Sequence, residues 1–252
     1  MTPGEIRLPS ASRLELLDYC RYFPHLPWDQ FDPGEKAQTG TLIHSLIERH
    51  FTGCDLRTGL PLADQKRADK VFARWLKWWD GFAAGRVFWS EVAFLYDVKT
   101  GKARVPDAGW QEDGRPRGPN ELVAIVDAFT IVDGRGILID WKTGAIANAT
   151  PAKSNAQLQV AALCLQSMFG VHEVEASLGW LRQIKDPNLD TAVYDALDLA
   201  DFQKILRENC AGIATAEPNR GDWCWRCPGK RTCPALGAPA PNGQEGVDFP
   251  PW

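Results

Sequence analysis

The stretch Val126-Asp127-Ala128 … Ile139-Asp140-Trp141-Lys142 decides how this chain folds. The residues between the two segments have the order of two apolar strands joined by a tight turn, which predicts a β-hairpin. Asp140 and Lys142 are two positions apart on one strand, so both side chains point to the same face of the sheet.

The register of this hairpin determines which charged groups meet. We place the two-residue turn at Gly134-Arg135, so that Asp127 opposes Lys142 and Asp140 lies diagonally across on the same face. Two carboxylates that can bind a hard cation, Mg²⁺ or Mn²⁺, then lie beside a fixed ammonium group. This arrangement suits metal-assisted hydrolysis of a phosphodiester.

A plainer interpretation of the same pattern is a surface hairpin with an incidental salt bridge, because Asp-x-Lys is common. The residues before Asp140, Ile137-Leu138-Ile139, are all apolar and indicate a strand buried on both faces. Burying charge beside such a strand is costly unless the charges are paired. The context therefore favours a functional site.

The composition bounds the class of protein. The chain has 252 residues, of which 44% are hydrophobic. We expect one domain over residues 1–236 and a disordered Pro- and Gly-rich tail over 237–252. The net charge of −4 argues against extensive coating of a phosphate backbone but allows a local basic groove. No apolar run could span a bilayer and no signal peptide is recognisable, so we expect a cytoplasmic protein.

The elements after the hairpin predict the fold class. A strand over 136–142, a helix over 155–169 and a strand over 174–182 form a crossover unit, whose two strands pair in parallel. The strands that precede this unit pair antiparallel. We therefore expect an α/β fold with a mixed central sheet flanked by helices.

Two predicted helices upstream carry further candidates. His44 lies beside the apolar stripe of a helix over 41–51, and a neutral imidazole can complete a metal's coordination shell. Viewed alone, a single helical histidine is more often a polar residue at the edge of the stripe. On the next helix, Trp75, Trp78 and Trp79 could stack nucleobases, but we interpret them as core.

Gln157 admits two interpretations of about equal weight. It is three residues after Ser154, so it can complete a capping box at the start of the predicted helix. It can equally lie beside the active site, since the helix follows directly after the strand that carries Asp140.

Three of the seven cysteines form the pattern C-x2-C-x5-C, namely Cys224, Cys227 and Cys233. The odd number of cysteines disfavours a disulfide framework, and unligated thiols in an exposed segment would be prone to oxidation. A closed site needs a fourth thiolate, for which Cys20 is the natural candidate. Four thiolates suit either zinc or an iron–sulfur cluster, and such a site would clasp the two ends of the fold.

Together and in this order, these elements resemble the RecB-like branch of the PD-(D/E)XK nuclease superfamily. Within that branch they are similar to the iron–sulfur subset, which includes the CRISPR-adaptation exonuclease and the nuclease domain of AddB. The matching segments are Leu16-Leu17-Asp18-Tyr19-Cys20, Gly40-Thr41-Leu42-Ile43-His44, Val126-Asp127, Ile139-Asp140-Trp141-Lys142-Thr143-Gly144, Gln157-Leu158, and the C-terminal cysteine pattern followed by Pro234.

The resemblance implies a restriction-endonuclease-like core whose ends are clasped by a [4Fe–4S] cluster. The cluster ligands it implies are Cys20, Cys224, Cys227 and Cys233. The metal ligands it implies are His44, Asp127, Asp140 and the backbone carbonyl of Ile139. The catalytic residues expected with them are Asp127, Asp140, Lys142 and Gln157. The chain departs from the family's frequent Gln-x-x-x-Tyr pattern at Ala161, which leaves the DNA-contact role of that helix open.

The function expected from these features is a divalent-metal-dependent deoxyribonuclease, an exonuclease on single-stranded DNA ends. Its partners would be DNA and proteins of DNA repair, recombination or CRISPR adaptation. The alternative is a module that keeps the fold and the cluster and binds DNA or a partner without cutting, which Ala161 and the acidic balance motivate. A third possibility has Zn²⁺ in place of the iron–sulfur cluster.

Overall fold

A computed structural model describes residues 8–25, 35–53, 62–106, 118–144, 150–181, 188–222, 224, 227 and 233–236. Its helices are α1 (Glu15–Tyr19), α2 (Glu35–Thr52), α3 (Leu62–Phe82), α4 (Ala156–Phe169) and α5 (Ala196–Ala211). Its strands are β1 (Trp89–Asp97), β2 (Lys102–Arg104), β3 (Glu121–Val132), β4 (Arg135–Lys142), β5 (Glu173–Trp180) and β6 (Asn188–Asp195). The tail over 237–252 lies outside the described residues. Within the described ranges, no helix is long and apolar enough to cross a membrane.

The strands form one six-stranded sheet in the order β2-β1-β3-β4-β5-β6. Strands β4 and β5 pair in parallel through α4, and all other neighbours pair antiparallel. The mixed sheet and its parallel crossover, both predicted from the sequence, are confirmed. The two edge strands, β2 and β6, were not anticipated.

Helices cover both faces of the sheet, as predicted. Successive residues of β4 point to opposite faces, and Leu138 and Ile139 accordingly belong to two different apolar layers. The layer of Leu138 is completed by α4 and α5, and that of Ile139 by α2 and α3. Trp75 and Trp79 are buried in the second layer, which confirms their interpretation as core.

The β3–β4 hairpin has a different register from the one predicted. Its two-residue turn is Asp133-Gly134, not Gly134-Arg135. Both turn residues adopt left-handed backbone angles, with φ of 51° and 74°, and Asp-Gly is a favoured pair for the type I′ turn that requires them. The pairing therefore shifts by two residues, and Asp127 comes level with Asp140 instead of with Lys142.

The sheet forks in the middle of this hairpin. The β3–β4 ladder ends at the pair Ala128–Ile139, although both strands continue and both lie wholly within the described residues. Beyond that pair, β3 continues against β1 and β4 continues against β5. Asp127 and Asp140 are the first residues past this point, so each begins one side of the fork.

Trp141 anchors the fork to the helical layer behind it. Its ring meets those of Trp75, Trp78 and Trp79 edge-on, at centroid distances of 5.6 to 6.0 Å, and is only 1% exposed. On the neighbouring strand β5, Gly179 leaves room for this ring. A Cβ at Gly179 would lie 2.5 Å from two ring carbons of Trp141.

Gly179→Ala is therefore expected to lower the free energy of unfolding by about 1–3 kcal/mol, the usual cost of overpacking a core. Urea denaturation measures the change. Gly144→Ala is the control, because a Cβ at Gly144 meets no described atom within 4 Å. Equal stabilities of the two variants would contradict the close packing of Trp141 on β5.

Candidate active site

One side of the fork carries a closed triangle of polar contacts. Lys142 Nζ lies 2.5 Å from Asp140 Oδ2 and donates to Gln157 Oε1 at 3.0 Å. Gln157 Nε2 donates in turn to Asp140 Oδ1 at 2.7 Å. Since Gln157 lies in the first turn of α4, the triangle ties the end of β4 to the start of that helix.

Gln157 is available for this triangle because another residue caps α4. Asn155 is the N-cap, and its side chain accepts a hydrogen bond from the Leu158 amide at 3.0 Å. The capping box of Ser154 with Gln157 is therefore wrong. Of the two interpretations of Gln157, the structure supports the one that places it beside Asp140 and Lys142.

Asp127 bridges the two sides of the fork. Its Oδ2 accepts a hydrogen bond from the Trp141 amide at 2.5 Å, just past the point where the backbone ladder ends. Its Oδ1 lies 3.6 Å from His44 Nδ1 on α2. Asp127 is 7% exposed, so these contacts hold the carboxylate in one orientation.

Glu91 of β1 completes the group and was missed from the sequence. Ligand atoms of His44, Glu91 and Asp127 lie within 4.8 Å of one another, the one such group of three or more among the residues the structure describes. The β1–β3 register sets Glu91 level with Asp127. A carboxylate inside a largely apolar strand was the available signal, but the pairing register that brings Glu91 level with Asp127 could not be derived from the sequence.

The backbone of Glu91 is strained. Its φ of 50° lies in the left-handed region, which costs a residue other than glycine about 1–2 kcal/mol. Such strain concentrates at functional sites, where the surrounding structure maintains it. The strain therefore supports a functional role for this carboxylate.

The crowded carboxylates resist ionisation. Burial raises the pKa of Glu91 to about 8, and the negative charge of Asp127 adds to the effect. Burial also raises the pKa of Asp140, against the opposing effect of the Lys142 ammonium. In the absence of a cation the centre therefore retains protons that a bound divalent cation would displace.

The two basic groups of the site favour their charged forms. Burial lowers the pKa of His44, but its contact with Asp127 and the surrounding carboxylates outweigh burial and raise the pKa above 6.5. Burial likewise lowers the pKa of Lys142, but the nearby carboxylates, above all Asp140, together have the larger opposite effect, so the pKa of Lys142 is raised. Lys142 therefore keeps its ammonium at neutral pH.

The donor set fits a hard divalent cation. Carboxylate oxygens are the ligands that Mg²⁺ and Mn²⁺ prefer, and an imidazole is compatible with Mn²⁺. His44, Glu91 and Asp127 supply such donors as one group. Asp140 lies close enough to act electrostatically on His44, and its role as a further ligand stays a prediction. Ile139 lies at the fork on β4 with its side chain in the core. The role of its backbone carbonyl as a metal ligand stays a prediction.

The cysteines of the predicted cluster lie at the end of α1 and in the segment after α5. All four are buried: Cys20, Cys224, Cys227 and Cys233. The segment after Cys20 is held against the end of α5, where Arg21 donates to Asn209 Oδ1 at 3.0 Å and His25 Nε2 lies 2.7 Å from the Ile213 carbonyl oxygen. Burial shields each of these thiols from solvent, and the four-thiolate site itself stays a prediction.

Ala161 contributes packing rather than a polar contact. It is 3% exposed and belongs to the apolar layer beneath α4. Ala161 lies one helical turn after Gln157, and its side chain faces the core.

The fold agrees with the comparisons to known proteins. The chain belongs to the PD-(D/E)XK nuclease superfamily, whose model matches residues 10–234. A candidate exonuclease from Eubacterium rectale shares the fold at a TM-score of 0.51 and 12% identity, covering 89% of this chain and 88% of that one. A second structure, SSO0001, has a TM-score of 0.36 at 14% identity, covering 79% of this chain and 96% of that one. No curated protein is significantly similar in sequence.

The pKa of Glu91 predicts a pH-dependent stability. Its folded value of about 8 lies above the ordinary carboxyl value, so stability is fully present below the ordinary value and is lost as the pH rises through 8. Glu91→Gln is therefore expected to raise the Tm of the metal-free protein at about pH 9 and to change it little at about pH 5. Calorimetry in a chelating buffer measures both values. The control is Glu208→Gln, because Glu208 is exposed on α5. If Glu91→Gln changed the Tm equally at both pH values, burial of the Glu91 carboxyl would not be the cause.

Proposed function

We propose that the protein is a divalent-metal-dependent deoxyribonuclease that acts as an exonuclease on single-stranded DNA ends. The observation that carries the proposal is the fork, where His44, Glu91 and Asp127 meet beside the triangle of Asp140, Lys142 and Gln157. Membership of the nuclease superfamily supports phosphodiester hydrolysis. The name of the neighbour from Eubacterium rectale favours exonuclease action.

The cation would be Mg²⁺ or Mn²⁺, held by His44, Glu91, Asp127 and Asp140 with the carbonyl of Ile139. When bound, such a cation polarises a phosphate and lowers the pKa of a coordinated water. Asp127 is well suited to hold it, because the Trp141 amide fixes one of its carboxylate oxygens. A ligand that cannot swing away needs no reorganisation when the cation binds.

Lys142 would act on the phosphate as a cation. Asp140 and Gln157 fix the position of its ammonium, and the raised pKa of Lys142 keeps the proton in place. A fixed ammonium beside a scissile phosphate stabilises the negative charge that develops during hydrolysis. Gln157 serves as a positioning residue, since it orients both Asp140 and Lys142.

The acidic balance of the chain supports a strand end as the substrate. A net charge of −4 disfavours broad binding along a duplex, whereas a single strand end requires only a local contact. We place the protein in the cytoplasm as one domain over residues 1–236. Its partners would be DNA and proteins of DNA repair, recombination or CRISPR adaptation.

We further propose that the four buried cysteines hold a structural [4Fe–4S] cluster rather than Zn²⁺. The spacing of Cys224, Cys227 and Cys233 and the docking of the Cys20 segment near the end of α5 support it. A link between the two ends would close a very long loop and would restrict the unfolded chain accordingly.

Asp140→Asn is expected to reduce cleavage of end-labelled single-stranded DNA by at least about 100-fold, since it removes a ligand and the partner of Lys142. The assay includes Mg²⁺, Mn²⁺ and a duplex of the same sequence. Asp133→Asn is the matched control, because Asp133 is exposed in the hairpin turn and asparagine tolerates its positive φ. Wild-type protein that retains DNA without cutting it under any metal would establish the binding-module alternative instead.

Cys227→Ala is expected to abolish visible thiolate-to-iron absorption in anaerobically purified protein and to lower the Tm. Turnover measured well below that Tm should fall much less, because the cluster is structural. Cys210→Ala, outside the pattern on α5, is the control. A colourless wild-type protein that contains zinc would favour the zinc alternative, and an unchanged Tm would contradict the clasp.

A further inference from the structure

Helix α2 approaches the end of β4 at Gly40, where the helix carries no side chain. Gly40 lies one helical turn before His44, so the two residues share a face of α2. A Cβ at Gly40 would lie 2.6 Å from Thr143 Oγ1, below the 3.0 Å that real Cβ contacts keep. Thr143 directly follows Lys142 at the end of β4.

Nothing in the local helix requires a glycine at this position. Gly40 is not among the glycines with positive φ, so its backbone is accessible to any residue. Glycine is unfavourable in a helix interior, and alanine there would raise the helix propensity. The close contact with Thr143 is therefore the feature of the structure that accounts for the glycine.

This contact lies between two of the elements that build the site. His44 comes from α2, whereas Asp140 and Lys142 come from β4. The separation between His44 Nδ1 and Asp127 Oδ1 is 3.6 Å, and an outward shift of α2 would move the imidazole away from the two carboxylates with which it forms a group. Misplacement by roughly 1 Å is enough to impair a catalytic group strongly.

We propose that Gly40 and Thr143 form a spacer contact that positions His44 against Asp127 and Glu91. The inference rests on the proposed metal-dependent nuclease function and deepens it. Gly40 is a positioning residue, because it acts through His44 and supplies no ligand atom of its own. A side chain at Gly40 would press on Thr143 and move α2, with His44, away from the fork.

The test compares one substitution at two helical glycines. Gly40→Ala is expected to weaken Mn²⁺ binding and to lower kcat/KM on single-stranded DNA, each by about 10-fold or more, the usual effect of losing a residue that orients a ligand. Gly81→Ala on α3 makes the same change where a Cβ meets no described atom within 4 Å, and it should match wild type. Calorimetric titration with Mn²⁺, well below the Tm of each variant, separates a positioning effect from unfolding.

A second variant tests the contact itself. The double variant Gly40→Ala with Thr143→Ala removes Thr143 Oγ1. The nearest remaining side-chain atom of residue 143 is its Cβ, which lies 3.6 Å from the position of the new Cβ at residue 40, an ordinary contact. The double variant should therefore recover most of the Mn²⁺ affinity and the activity. Thr143→Ala alone completes the cycle and shows whether the two effects are coupled.

The outcomes distinguish a failure of the spacer contact from a failure of the proposed nuclease function. Gly40→Ala protein that binds Mn²⁺ and cuts like Gly81→Ala protein overturns the spacer and leaves the nuclease function standing. A double variant as impaired as the single one, or one that does not fold, also overturns the spacer. Wild-type protein that neither binds Mn²⁺ nor cuts DNA removes the proposed function and the spacer with it. A single variant that fails to fold while the double variant folds and cuts supports the spacer.

Discussion

The β3–β4 ladder ends at Ala128–Ile139, and the separation of the two strands opens the space in which the charged groups of the site lie. Two strands that stay paired would fill this space with backbone hydrogen bonds. Once they separate, the Asp127 carboxylate takes the Trp141 amide as its partner, and Asp140 turns to Lys142 and Gln157. Helices α2 and α4 then reach the opening from the two helical layers of the fold. Asp127 and Asp140 are thus buried but each has a defined partner, which is the condition for keeping charge inside a protein.

This arrangement costs stability in the metal-free protein. Glu91 combines a left-handed backbone with a carboxyl group whose pKa is raised to about 8 by burial and by Asp127. A divalent cation would remove the protons and relieve the repulsion among the carboxylates. Because a ligand that binds only the folded state stabilises it, cation binding and folding stability are expected to be coupled at this centre.

The sequence predicted the features that depend on local pattern. The alternation around Asp140 and Lys142, and the strand–helix–strand order that follows, led to the correct hairpin and crossover. The predicted register was wrong because the turn was placed at Gly134-Arg135, whereas Asp133-Gly134 is the stronger sequence signal for a type I′ turn. Glu91 was missed because its proximity to Asp127 depends on the pairing of β1 with β3, which are far apart in the chain. The cap of α4 was misassigned by one residue, which left the capping role of Gln157 as an alternative to its position beside the site.

Pulsed electron paramagnetic resonance of the Mn²⁺-loaded protein shows whether the fork is a metal centre with one imidazole ligand. We expect a hyperfine coupling from one imidazole nitrogen. The coupling should disappear in His44→Gln protein and persist in His50→Gln protein, because His50 packs among aromatic rings on the same helix. Bound Mn²⁺ without nitrogen coupling, or coupling that survives His44→Gln, would rule out His44 as the imidazole ligand.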